Sequence, residues 1–421
     1  MSKKNVALLT LQSLVYLPLL VFFTKSTVVI LAMVTVCGLI YVRSLPRFRP
    51  VKNWIFLLLA SAISAIWSIA PDQSLERTAK FSLLVITIAG LIHVVSSWSP
   101  KDRRFLLELG LKGWWVALVT LALLIPAVIF EQEFKMLIAS IFAPKYTTYI
   151  TYLWKPISNN GAIALVLTAF PLLGHLLTTG RSQIYFVISL LGLLVVVFAS
   201  GSSSALLGLV AGLLVWFLCH HYLRMVTKIL TVALPLCIFA MPALLYPLAK
   251  NPEPIAQSVP GLPNSFIHRL LIWDFTLDRI AERPLFGWGL DTSRAIPGGV
   301  ERRPVYFIVP WSDKPITHSD QNLPLHPHNA ALQVWLELGL MGVLVVMFAV
   351  WRFLRTQLVL PGSGPMAGYI ICAMAIYSVA FGLMQSWWLA LLVLTWAATK
   401  ATVSTETHPM DELTNSNLSK L

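Results

Sequence analysis

The sequence predicts an all-α polytopic membrane protein of about twelve transmembrane helices with one large polar loop. Three observations carry that expectation. Apolar stretches of roughly twenty residues recur from end to end, the length at which a helix crosses a bilayer. Of 421 residues, 57% are hydrophobic and 12% are charged, against about 25% charged in a soluble domain. The apolar runs are continuous rather than alternating, which excludes an outer-membrane barrel.

The spans run near 5–23, 27–44, 53–71, 78–97, 113–130, 159–178, 183–200, 203–219, 227–248, 330–351, 367–384 and 387–400. Met-Ser-Lys-Lys leads into an apolar run that ends at Phe23 and lacks a small-residue cleavage site, so it reads as the first span rather than a removed signal peptide. Orientation follows from basic loops, because Lys and Arg accumulate on the cytoplasmic side. Lys3 and Lys4 place the N-terminus inside. Arg43, Arg47, Arg49 and Lys52 mark the next inner loop, and Lys101, Arg103, Arg104 and Lys112 another. Arg181, then Arg224 and Lys228, then Arg352 and Arg355 continue the alternation. Residues 1–248 then hold nine spans with a shorter outer loop at 131–158. Residues 249–329 form the large outer loop, 330–400 the last three spans, and 401–421 a polar tail inside.

A net charge of +13 would suggest nucleic acid in a soluble protein. Here the inner-loop bias explains much of it, and no nucleic-acid partner is expected. Yet Lys135, Lys145, Lys155, Lys250, Arg269, Arg279, Arg283, Arg294, Arg302, Arg303 and Lys314 fall in the two outer segments. Two explanations are open: an ordinary solvated surface, or a binding site for an anionic ligand. Cys37, Cys219, Cys237 and Cys372 all lie in or beside apolar spans and read as small apolar filler.

The large loop has internal order. Residues 266–283 carry Ile267, Leu270, Leu271, Phe275 and Ile280 at helical spacing. They predict an amphipathic helix ended by Pro284 and suited to the membrane surface. Asp274, Asp278 and Glu282, with Arg279 and Arg283 interleaved, read as a solvated face with local ion pairs. No Asp-x-Asp occurs, and no carboxylate pair stands at metal-triad spacing from the outer histidines, so no metal is expected.

His326-Pro327-His328-Asn329 stands where the loop meets the next span. Pro327 suits a first helical position, which would put His328 in the first turn. The dipole there favours a neutral imidazole, the form a general base needs. A histidine that only hydrogen-bonds at the interface is the competing reading. Gln333 and Glu337 share one face of that helix, and Glu337, nine residues past His328, points away from it. Lys80 lies one turn into the fourth span, to snorkel or to line an outer cavity. Lys155 is placed similarly. No glycine-rich nucleotide loop is present, and no cofactor is expected.

His328-Asn329, nine residues, then Gly339-Leu340-Met341-Gly342 resembles the motif of bacterial O-antigen ligases. Arg269 with Trp273, and Pro284-Leu-Phe-Gly-Trp-Gly289, resembles a second block of that superfamily, shared with O-antigen polymerases and related oligosaccharyltransferases. The resemblance implies a GT-C-like, metal-independent glycosyltransferase of the bacterial inner membrane, working on its periplasmic face among membrane lipids. Its donor would be a glycan on undecaprenyl pyrophosphate and its acceptor the lipid A–core oligosaccharide. By the same resemblance His328 is the catalytic base and Arg269 a pyrophosphate contact. His326, Asn329, Arg302 and Arg303 are further substrate-binding candidates. Many ligases carry an arginine in a Ser-Arg-Gly-like outer turn, but the matching stretch here, Ser200 to Ser204, has none. Lys80, Lys145 and Lys155 are the candidate replacements.

Three other functions compete. An O-antigen polymerase would use the same donor, and so would a transferase that glycosylates proteins. A transporter would show inverted repeats with broken helices and midplane charges. No repeat is visible, and the candidate residues cluster at one face.

Overall fold

The computed structural model describes residues 23–42, 54–130, 133, 136, 144–178, 183–250, 252–258, 262, 264–307, 316–358 and 362–406. The first expected span, near 5–23, and the tail from 407 lie outside these residues, as do Arg181 and Lys314. Helices dominate: α1 (Thr27–Val42), α2 (Trp54–Ser64), α3 (Pro71–Ser97), α4 (Pro100–Ile129), α5 (Pro144–Thr178), α6 (Gln183–Ala199) and α7 (Ser203–Ala249). Then follow α8 (Pro252–Ser258), α9 (Asn264–Glu282), α10 (Ala330–Gln357), α11 (Gly364–Tyr377) and α12 (Ser386–Glu406). Among the described residues, five stretches are long and apolar enough to cross a membrane: Pro71–Ser97, Pro100–Leu123, Asn159–Thr178, Ser203–Ala249 and Ala330–Gln357. Exposed apolar side chains such as Leu83, Val195, Leu214 and Val232 stud these and neighbouring helices, as lipid contact requires. The chain is a multi-pass membrane protein.

The main core forms around α5, which is buried along residues 161–176, with α4, α7, α11 and α12 packed about it. Two expected loops are helical instead. Residues 144–158, placed in an outer loop from sequence, continue α5. Residues 220–226, between two expected spans, lie inside α7, whose helix breaks only at Tyr222 (φ −133°, ψ 39°). At 47 residues α7 is far longer than one crossing needs. Its two halves pack differently. Gly208 lies against Ile376 near the end of α11, Trp216 lies beside Gly364 at its start, and Lys250 beyond the far end of α7 reaches Asp274 on α9.

Among the described residues, the all-helical expectation fails in one place. Arg302–Phe307 (β1) and Ile316–Gln321 (β2) form an antiparallel hairpin, with Arg302 opposite Gln321 and Phe307 opposite Ile316. Val305, Tyr306, Phe307, Ile316 and Thr317 are β-branched or aromatic and favour strand. Pro304 is tolerated because a two-stranded ribbon has only edges.

A second core holds α9 against the first half of α10. Leu270, Ile272, Trp273, Leu277, Ile280, Trp288, Leu332 and Leu336 are buried there. The apolar stripe of α9 thus faces protein, not the bilayer as expected. Its acidic row has different partners too. Asp274 binds Lys250 (2.7 Å) and Arg303 (2.7 Å), and Asp278 binds Lys250 (2.5 Å). These pairs tie the end of α7 and the hairpin to α9. Only Glu282 pairs with an interleaved arginine, Arg279 (2.9 Å).

Candidate functional site

The loop block and the helix that follows it are joined by a backbone crossing. Helix α10 breaks at Gly339 (φ 60°, ψ −163°), and the Pro284–Gly289 segment lies across the break. Trp288 N donates to Leu336 O (2.9 Å), Gly289 N to Glu337 O (2.8 Å) and Leu340 N to Pro284 O (2.8 Å). The amide and carbonyl groups freed by the break are thereby satisfied inside an apolar setting. Only glycine fits at the crossing. A Cβ on Gly287 would sit 2.5 Å from the Glu337 carbonyl carbon, and one on Gly339 would sit 2.5 Å from that of Leu285. Both residues also have positive φ, which glycine adopts without strain.

His328 sits just before α10. Asn329, not Pro327, starts the helix: its backbone is extended, and its Oδ1 accepts from Leu332 N (3.0 Å). His328 is therefore outside the first turn, contrary to the sequence expectation, and it takes up φ 53°. A non-glycine residue in that region is strained and must be held by its surroundings. Two bonds hold it. His328 Nδ1 lies 2.6 Å from Ala380 O, and His328 N donates to Nδ1 of His326 (3.1 Å).

These bonds fix both tautomers. A carbonyl only accepts, so His328 Nδ1 carries the proton and Nε2 keeps a free lone pair. His326 Nδ1 accepts, so neutral His326 carries its proton on Nε2. The two rings, with centroids 4.3 Å apart, thus present one base and one donor. Both are held neutral. Burial pushes His328 down to about 4, against the opposing bond to Ala380 and aided by the nearby Arg269 and His268 charges. Burial, then His328 and Arg294, push His326 down to about 3.

Arg269, on α9, is half-buried beside this pair. Its Nε donates to Val379 O (2.7 Å) and its Nη1 to Ser265 O (2.8 Å). Trp273, one turn on, donates from Nε1 to Pro327 O (2.9 Å), which locks α9 to the histidine segment.

The sequence profile described as "O-Antigen ligase" matches residues 187–347, which contain Arg269, the Pro284–Gly289 strap and His328. A Rickettsia conorii protein named "Putative polysaccharide ligase" is 26% identical over 343 residues, covering 80% of this chain and 74% of its own length. A Rickettsia felis protein so named is 24% identical over 336 residues (78% and 74% covered), and one from Rickettsia bellii 26% over 334 (78% and 74%). The chain is similar to the O-antigen ligase family over residues 187–347 and to proteins named polysaccharide ligases over most of its length.

The template of the site is a segment that the sequence analysis assigns to a helix. Helix α11 ends at Tyr377 and α12 begins at Ser386, so residues 378–385 form a loop, not the end of a span. Its carbonyls receive the site side chains in turn. Ser378 O accepts from Asn329 Nδ2 (3.2 Å), Val379 O from Arg269, Ala380 O from His328, and Met384 O from Arg77 Nη1 (3.2 Å). Gln333 Oε1 accepts from Leu383 N (2.7 Å). A stretch of apolar residues between two spans gives no sign of this, because the backbone does the work.

Gln333 and Glu337 extend the template. Gln333 Nε2 donates to Glu337 Oε1 (2.8 Å). The fully buried Glu337 also accepts from Ser293 Oγ (2.6 Å) and from Asp291 N (2.8 Å). Glu337 thereby anchors the 291–293 turn.

Beside that turn is a cavity of about 310 Å3 lined by Gln73, Glu76, Arg77, Lys80, Asp291 and Arg294. Lys80 is therefore in a cavity, ion-paired with Glu76. Arg77 binds Asp291 (2.7 Å). Sequence reading missed Arg77 entirely; its spacing of three residues from Lys80 on one helix was the available signal. Arg302 and Arg303 are committed elsewhere: Arg302 Nη1 donates to Ser319 O (3.0 Å) and Arg303 binds Asp274. Both stood as substrate-binding candidates; these bonds place their side chains on the hairpin and α9. Lys145 and Lys155 lie on α5.

Proposed function

We propose that this protein is an O-antigen ligase. It transfers a glycan from undecaprenyl pyrophosphate to a sugar hydroxyl of lipid A–core, on the periplasmic face of a bacterial inner membrane, in a GT-C-like bundle of about twelve spans. The observation that carries this reading is the tautomer of His328. Its Nδ1–H is spent on Ala380 O, which leaves a neutral, unprotonated Nε2 beside a guanidinium. That is one base next to one fixed cation.

The lipid pyrophosphate is a good leaving group, so the chemistry needs charge stabilisation and a base. His328 Nε2 takes the proton of the acceptor hydroxyl. The oxygen forms a bond to the anomeric carbon of the donor sugar. The bond from that carbon to the pyrophosphate oxygen breaks, and its electron pair leaves on the phosphate. Arg269 stabilises the departing charge with the guanidinium N–H groups not spent on Val379 and Ser265. His326, as an Nε2–H donor, is suited to a phosphate oxygen. No step calls on a metal or cofactor, so transfer should persist in excess chelator; lost turnover restored by a divalent cation would overturn that part.

The test is a null mutant of the native organism, examined by lipopolysaccharide gel. Loss of the polymer ladder, with lipid-linked polymer accumulating, is the result expected of a ligase. A core that carries single repeat units would make the protein a polymerase. An unchanged ladder with underglycosylated exported protein would make the acceptor a protein.

A further inference from the structure

We propose that the cavity between α3 and the 291–294 turn is a phosphate subsite for the acceptor glycolipid, separate from the donor pyrophosphate site at Arg269. This deepens the ligase reading and rests on it for the identity of the second substrate.

The lining is wholly polar: three cations (Arg77, Lys80, Arg294), two carboxylates (Glu76, Asp291) and Gln73. The two carboxylates neutralise two of the cations, Asp291 with Arg77 and Glu76 with Lys80. Arg294 is left over. It is exposed and makes no ion pair among the described residues. A surplus arginine at the edge of a polar hollow suits a phosphate, whose oxygens match the planar fork. The volume, about 310 Å3, holds far more than a few waters at about 30 Å3 each. It leaves room for a sugar, whose hydroxyls can donate to Glu76 and Asp291.

The wall is built, not incidental. Asp291 has φ 59°, outside the ordinary range for a side-chain-bearing residue. It is held there by its N–H to Glu337 Oε2, while Ser293 Oγ binds the other carboxylate oxygen. A fully buried carboxylate therefore fixes the turn that presents Arg294. The same Glu337 is tied through Gln333 to the 378–385 loop that holds His328 and Arg269. Cavity and base share one frame.

Position decides which substrate the cavity serves. Arg269 holds Val379 O near one end of the 378–385 loop, whereas Arg77 of the cavity holds Met384 O near the other. The loop thus has a cation at each end. Two anionic lipid substrates need two anion sites. Arg269 serves the leaving group, and the Arg294 cavity is left for the acceptor.

The test uses the full-length protein in nanodiscs and reads binding without turnover. The probes are a synthetic acceptor disaccharide glycolipid with and without its phosphate, and a prenyl-pyrophosphate-linked glycan. Wild type should bind the phosphorylated acceptor roughly ten- to a hundredfold more tightly, the size of a hydrogen bond to a charged group. Arg294→Ala and Lys80→Ala, both at exposed positions, should bring that preference close to one, and Arg294→Lys should keep part of it. Equal binding of the two acceptors by wild type overturns the proposal. So does an Arg294→Ala variant that keeps the preference, or one that loses affinity for the pyrophosphate-linked glycan instead, which would assign the cavity to the donor. A protein that prefers the phosphorylated acceptor yet transfers no glycan would refute the ligase reading alone.

Discussion

Replacing His328 with Asn separates its chemical task from its structural one. The structure gives His328 two structural duties: a left-handed backbone (φ 53°) and an N–H aimed at Ala380 O (2.6 Å). Asn performs both. It is among the residues that tolerate that backbone region, and its amide nitrogen occupies the place of Nδ1, one bond from Cγ. It offers nothing at the position of Nε2. His328→Ala, by contrast, also abandons the Ala380 carbonyl, at a cost of about 1–3 kcal/mol where that group stays dry. The Asn variant should therefore melt close to wild type and bind the lipid-linked donor normally. Its transfer rate should fall by about 10²–10⁴, the usual contribution of a general base, or about 3–5 kcal/mol in the barrier. The assay is single-turnover transfer with purified donor and acceptor, alongside a binding measurement and thermal unfolding in the same detergent. Turnover by His328→Asn within a few-fold of wild type would refute the base assignment. So would a His326→Ala variant that is dead while His328→Asn works, because His326 is read as the Nε2–H donor. Loss of donor binding alone in His328→Asn would recast the residue as a phosphate ligand.

Other outcomes follow from the same geometry. The acid limb of kcat/KM should fall near pH 4 rather than 6.5, since burial depresses His328 and only the neutral form is a base; Arg269→Gln, which removes a cation, should move that limb to higher pH, and a wild-type limb at 6.5 would contradict the burial argument. Folding should be weakened by acid below about pH 6.5, because His326 and His328 bind protons unfolded before they do so folded; a flat unfolding profile from pH 7 to 4.5 would count against it. Arg269→Lys should lose most activity, since one ammonium cannot hold Val379 O and Ser265 O and still fork onto phosphate; near-normal transfer would show that charge alone suffices. In a cysteine-free background, an impermeant thiol reagent should label Val300→Cys but not Thr356→Cys in intact spheroplasts, and the reverse would invert the topology; both positions are exposed.

The sequence by itself determined the solvent of this protein and the candidate side chains of its site. Apolar runs of membrane length force helices, because a bilayer leaves no other partner for the backbone. The amphipathic stripe of α9 and the stop at Pro284 follow from local spacing and ring geometry, and the structure places that helix at Asn264–Glu282. His328, Arg269 and the glycines of the strap were visible as residue types in a pattern. What they do to one another was not. The 302–321 hairpin falls in a loop expected to be helical, although Val305, Tyr306, Phe307, Ile316 and Thr317 favour strand. Helix α10 was given Pro327 as its start, although Asn329 caps it, since only the surrounding loop could hold His328 in a left-handed turn. The 378–385 template has no sequence signature at all, because carbonyl oxygens are common to every residue. Only tertiary structure aims them, and their direction decides which nitrogen of His328 keeps a free lone pair.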